Sequence, residues 1–278
     1  MTEPLAVDPW AALRGTTQAR IGLGRAGVGL PTRAVLELQS SLAAARDAVH
    51  VPLDVGSLVA ELAGLGLGDP IVLHSQAQDR GTYLRRPDLG RLPASVAELP
   101  TDGWDVGIVI ADGLSSKAIS DHAASMAMSI VAALGHELSI APPVVVTQGR
   151  VAVGDAIGQT MRVRTVLVLV GERPGLSVAD SLGIYLTHDP RPGRTDAERN
   201  CISNIHPPQG LDYATAAATV TALVRGARVL GRSGVDLKDT GAPPELETPE
   251  SVGDRGAEMG GHRGSEVQDL VEAEDDAT

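Results

Sequence analysis

Apolar positions along this chain follow two periods, and the change from one to the other divides it. At Val35, Leu38, Leu42, Ala45 and Val49 the spacing is three and four, which places them on one face of a helix. Asp8-Pro9 reads as a cap followed by proline at the first helical position, opening a short helix through Leu13. A further helix is expected from Ser57 to Ala63, stopped by Gly64. Up to about residue 65 the pattern is helical, with no evident strand. From Trp104 onward short apolar runs take over. Val106–Ile110, Val144–Thr147 and Val163–Val170 read as strands, and Gly183–Thr187 as a candidate fourth. Between them a long helix runs to about Leu134, and an alanine-rich helix covers Ala214–Leu230. Runs such as Val166-Leu-Val-Leu-Val170 show no polar alternation, as expected of strands covered on both faces. Strands alternating with helices predict a mainly parallel sheet.

The expected architecture is therefore α/β. A helical N-terminal region (residues 1–100), including a polar, arginine-rich loop between His74 and Arg91, precedes a Rossmann-like domain of parallel strands flanked by helices (residues 101–238). Beyond Lys238, Gly, Pro, Glu and Asp dominate. That segment (239–278) is expected to be a disordered acidic tail, because it has too little apolar surface to offset its ordering entropy.

Charge sharpens this division. The net charge is −12, but 12 acidic and only 2 basic residues lie beyond Lys238, which leaves −2 for residues 1–238. A nearly neutral body does not suit a phosphate backbone. Aromatic content of 2%, with no Phe, leaves few surfaces for stacking single-stranded bases. Nucleic acid is not an expected partner. The single cysteine, Cys201, permits no internal disulfide and fits a reducing compartment. No apolar run approaches the ~20 residues of a membrane span, and Met1–Trp10 lacks the features of a signal peptide. A cytoplasmic protein, away from the membrane, is expected.

Several motifs invite chemistry. Gly22-Leu-Gly-Arg-Ala-Gly27 matches G-x-G-x-x-G, but a dinucleotide loop needs a strand before it and a helix opening from it. Here Pro31 intervenes before the next helix, so a tight glycine loop is the better reading. Cys201 and His206 could form a hydrolase pair only if their side chains met in space. The histidines show no H-E-x-x-H spacing, so no metal site is expected. More informative is where the polar clusters fall. Asp112-Gly-Leu-Ser-Ser116, Gly149-Arg150-Val151 and Glu172-Arg173 each follow a predicted strand. In a parallel sheet all three then share the carboxyl edge, where open α/β sheets place ligands. Asp112 could serve in the turn or face a ligand, and Glu172 and Arg173 could pair or line a rim.

Taken together, Arg25-Ala-Gly27, Tyr83–Gly90, Asp112–Ser115, Gly149–Val151, Val170–Leu176, Ser181-Leu182 and Arg199–His206 resemble the small (light) subunit family of adenosylcobalamin-dependent ethanolamine ammonia-lyase, over roughly residues 10–238. The resemblance implies a large subunit as partner in a hetero-oligomer, with adenosylcobalamin clamped at the interface between the two chains. The complex would be a carbon–nitrogen lyase, converting ethanolamine to acetaldehyde and ammonia by radical deamination, with the small subunit inactive alone. Carried over by position, the family's cofactor contacts fall on Val151, Glu172 and Cys201, with Arg150, Arg173, Ser203 and Asn204 as further candidates. No catalytic residue is assigned to this chain. The absence of D-x-H-x-x-G agrees with a cobalamin that keeps its own benzimidazole as lower ligand. Some relatives carry a longer N-terminal extension for a bacterial microcompartment; the short lead here favours the cytoplasm. The competing reading is a stand-alone nucleotide-binding α/β oxidoreductase, which would need the glycine loop to follow a strand.

Overall fold

The computed structural model describes residues 8–238. Helices α1 (Ala11–Arg14), α2 (Thr32–His50) and α3 (Val55–Ala63) come first. Local chemistry sets their limits. The Asp54 carboxylate accepts the Ser57 N–H and caps α3, which ends at Gly64. Next come β1 (Ile71–His74) and a short α4 (Arg80–Arg85), capped by Asp79. The alternating part follows as β2 (Trp104–Ala111), α5 (Ser116–Leu134), β3 (Val144–Thr147), α6 (Val153–Thr160), β4 (Val163–Gly171), β5 (Leu182–His188), β6 (Asn200–Ile205) and α7 (Tyr213–Leu230). Ser115 caps α5 and Asp212 caps α7, which stops at the left-handed Gly231.

The six strands form one mixed, mostly parallel sheet in the order β1-β3-β2-β4-β5-β6. β1, β3, β2 and β4 run parallel, while β5 is antiparallel to both of its neighbours. The continuous apolar runs have a simple cause. In β4, Leu167 and Leu169 join the core formed with α5 and α7, whereas Val166, Val168 and Val170 join the core formed with α6. Both faces are covered, so both alternate sets must be apolar.

Several features depart from the sequence reading or fall outside it, α6 and β6 among them. β1 was not anticipated; it pairs with β3 through Ile71–Val144 and brings part of the segment before residue 100 into the sheet. The expected stripe on α2 is present on a real helix, but only Ala34 and Ala48 of that helix are buried, and Leu36 and Leu42 are 59% and 53% exposed. Val35, Leu38, Ala45 and Val49 of the stripe are half-buried, and the C-terminal end of α2 meets α5, where the Ser116 hydroxyl donates to the Ala48 carbonyl at 3.3 Å. The acidic segment 239–278 lies outside the described residues. No described helix is long and apolar enough to cross a membrane.

Candidate cofactor cleft

Because β2, β3 and β4 are parallel, their carboxyl ends Ala111, Thr147 and Gly171 reach one edge of the sheet. The antiparallel β5 starts at that edge, with Leu182 opposite Gly171. A cleft of about 350 Å³ opens there, and its walls include Tyr83, Arg150, Val151, Glu172, Arg173 and Tyr185. Two of the three residues singled out from the sequence, Val151 and Glu172, therefore line one cavity. Cys201 does not line it. It lies on β6 directly across from Tyr185, which does.

Close packing of backbone builds this edge. The Leu114 N–H donates to the Gly171 carbonyl at 2.9 Å. A Cβ at Gly171 would overlap the Ser115 carbonyl oxygen and stand 2.8 Å from that of Asp112. Asp112 is only 4% exposed. Its carboxylate accepts the Gly149 N–H at 3.0 Å and lies 3.6 Å from the Arg80 guanidinium. It ties the turn after β2 to the turn after β3. Burial raises its pKa, against the opposing pull of the Gln148 N–H and Arg80. Of the two roles considered for Asp112, the geometry gives it that of an internal brace.

Glu172 is half-buried, and Arg173 is not its partner. Its carboxylate accepts the Ser181 hydroxyl at 2.5 Å, the Ser203 hydroxyl, and the Asn204 N–H at 3.3 Å. Those partners come from the start of the β5 hairpin and from β6, so the carboxylate is oriented by two strands it does not belong to. A side chain at Gly183 would press on it, with a Cβ 2.9 Å from Oε1. Ser203 and Asn204, both further candidates from the sequence, act here as ligands of Glu172.

Cys201 is exposed as a residue. Its immediate surroundings still push the thiol pKa up, chiefly by burial, with the Tyr185 hydroxyl pulling it down. A raised thiol is the reverse of an activated nucleophile. The His206 Nε2 meets Asn204 Oδ1 at 2.8 Å rather than the thiol. The hydrolase pairing has no geometric support. Nor does the dinucleotide loop: among the described residues no strand precedes Gly22, and a Cβ at Gly22 would overlap the Trp10 ring. This glycine admits close packing.

Sequence reasoning missed two contributors to the site. One is Tyr83, which is 1% exposed and gives its hydroxyl to the Gly149 carbonyl at 3.3 Å. Burial pushes its pKa up to about 12. The other is Tyr185, hidden in a strand register that composition does not reveal. Elsewhere, Asp121, His122 and Asp180 bring potential metal ligands within 4.8 Å of one another. Lys117 contacts both carboxylates and offsets part of their charge. In a hollow of about 440 Å³ elsewhere, Asp155 is paired with Arg199, and Arg194 with Asp189 and Glu198.

Comparison with known proteins identifies relatives along most of the chain. A family profile described as "Ethanolamine ammonia-lyase light chain (EutC)" matches residues 7–238. The chain is 58% identical over 242 residues to the ethanolamine ammonia-lyase small subunit of Rhodococcus erythropolis, covering 86% of this chain and 94% of that one. It is 49% identical over 249 residues to the ethanolamine ammonia-lyase small subunit of Ralstonia nicotianae, covering 86% and 92%. The small subunit of Azotobacter vinelandii is 48% identical over 253 residues, covering 88% and 93%.

Proposed function

The chain belongs to the ethanolamine ammonia-lyase light-chain family, and from that membership we propose that its carboxyl-edge cleft holds part of adenosylcobalamin against a large catalytic subunit. The observation that carries this reading is the shared cavity of Val151 and Glu172. In its complex the chain serves as the small subunit of a carbon–nitrogen lyase that turns ethanolamine into acetaldehyde and ammonia. When bound, adenosylcobalamin supplies the radical chemistry of that deamination. This chain's residues supply position.

The donor set suits the cofactor. A corrin is rimmed by amide side chains and its nucleotide loop carries hydroxyls, and all of these can donate to a carboxylate. Glu172 is such an acceptor, held in one orientation by Ser181 and Ser203. Val151 offers an apolar wall. Cys201 backs the Tyr185 wall as a packed, unactivated thiol. Size argues for a second surface: pockets of ~300–1,000 Å³ enclose drug-sized ligands, and a corrinoid is larger than those. A cleft of about 350 Å³ takes one portion of it and leaves the remainder to the partner. The exposed Leu36 and Leu42 side chains on α2 also support a partner chain. We read the sheet with its covering helices as Rossmann-like, with its ligand edge at the carboxyl ends of the parallel strands, and the complex as cytoplasmic.

The test is Glu172→Ala in the two-chain complex. Loss of a hydrogen-bonded carboxylate should weaken adenosylcobalamin binding roughly tenfold or more, while the two chains still co-elute. Unchanged cofactor affinity would contradict the assignment.

A further inference from the structure

The arginine-rich segment from Asp79 to Arg91 contributes Tyr83 to the wall of the cleft. Two guanidinium groups pack against the buried Tyr83 ring. The Arg80 Cζ is 4.7 Å from the ring centroid and the Arg150 Cζ is 4.8 Å from it. Each cation is attracted to the electron-rich ring. Each arginine has one buried guanidinium nitrogen without a partner, Arg80 Nη2 and Arg150 Nε, but their other contacts differ. Arg80 donates through Nε to the Val49 carbonyl at 2.6 Å and through Nη1 to the Gly113 carbonyl at 2.8 Å, and it faces Asp112. It is fixed from several sides. The Arg150 guanidinium makes no ion pair or side-chain hydrogen bond among the described residues, and its buried Nε has no partner. What holds it is the ring, together with the Arg150 backbone N–H, which donates to the Gly90 carbonyl at 2.8 Å. Gly90 belongs to the same device: a Cβ there would come within 2.9 Å of the Tyr83 ring.

A buried, unsatisfied guanidinium N–H costs free energy unless something else accepts it. Arg150 lines the cleft alongside Val151 and Glu172. We propose that Tyr83 is a positioning residue: its ring presents the Arg150 guanidinium as a donor to an oxygen acceptor of the bound cofactor, an amide carbonyl or a phosphate oxygen. Arg80, braced by Asp112, packs against the same ring. The cleft then offers a donor at Arg150 and an acceptor at Glu172. This inference rests on the cofactor reading above.

The experiment is a set of adenosylcobalamin titrations of the two-chain complex, followed by absorbance. Arg150→Gln should weaken binding about tenfold or more, as expected for a lost charge-assisted bond. Tyr83→Leu should weaken it by about tenfold through loss of the cation–π platform. Tyr83→Phe keeps the ring and should retain the affinity, which a role confined to the hydroxyl would not allow. In the double variant Tyr83→Leu/Arg150→Gln the loss should match that of Arg150→Gln alone, because Tyr83 acts through Arg150. Additive losses, or an unchanged affinity in Tyr83→Leu, would overturn the positioning role. If Tyr83→Leu does not assemble, Tyr83→Met, which keeps bulk without a ring, is read in the same way. Neutral Tyr83 variants beside a damaging Glu172→Ala would sink this inference alone. Neutrality of both Glu172→Ala and Arg150→Gln would sink the cofactor reading beneath it.

Discussion

Replacing Arg199 by Met should unseat both ends of the cleft at once. The Arg199 and Asp155 side chains are 2% and 3% exposed. They share two hydrogen bonds of 2.7 Å each, and Arg199 also donates to the Thr187 hydroxyl at 2.7 Å and to the Arg194 carbonyl at 3.0 Å. Asp155 sits on α6, just beyond Val151, and Arg199 immediately precedes β6, which carries Cys201 and Ser203. The pair therefore joins the two segments that deliver the proposed contacts. Removing the guanidinium leaves a buried carboxylate with no counter-charge, a change that costs ~3–5 kcal/mol. In a chain of this size ~1 kcal/mol corresponds to about 2–4 °C, so melting of the complex should fall by about 6–20 °C. Calorimetry on the purified complex measures it. Replacing both partners, as Asp155→Leu with Arg199→Met, removes the orphaned charge as well and should recover most of the loss. Cofactor affinity should fall and recover in parallel. A single variant that melts like the parent, or a double variant no better than the single, would refute the reasoning.

Two further outcomes follow from the same geometry. Gly171→Ala forces a methyl into the Ser115 and Asp112 carbonyls, which are backbone and cannot swing aside. Overpacking of this kind costs ~1–3 kcal/mol and, because Glu172 is the next residue, it should lower both melting temperature and cofactor affinity; an unperturbed complex would contradict it. Burial holds His122 and His188 below the ordinary imidazole pKa of 6.5. Below that value the unfolded chain binds more protons than the folded one, so stability should fall as pH drops from 6.5 toward the depressed folded values. Melting at about pH 5.5 should be lower than at about pH 7.5, and less so in His122→Gln; equal acid sensitivity in that variant would count against the assignment.

What the sequence disclosed, and what it did not, has physical reasons. β2, β3 and β4 were legible because burial on both faces demands unbroken apolar runs, and α5 and α7 because their caps and periods are strong. The carboxyl-edge rim followed from those strands alone. α6 escaped notice because Gly154 and Gly158 depress helix propensity. They are there because a Cβ at 154 would overlap Val168, and one at 158 would crowd Pro190 at 2.6 Å. β1 has four residues and only one of them is buried, too few to register as a period. β6 reads Asn-Cys-Ile-Ser-Asn-Ile, with polar residues that look like a motif rather than a strand. That β5 runs antiparallel is invisible in composition, yet this is what sets Tyr185 against Cys201. The role of the segment around Tyr83 depends on Arg80 and Arg150 meeting one ring, a contact that no local pattern encodes.

The most direct test of the central claim is acetaldehyde release from ethanolamine by the cognate large chain with adenosylcobalamin, measured with and without this chain. Turnover only when both chains are present is the expected result. Equal turnover by the large chain alone, or none from the two chains together, would contradict the account.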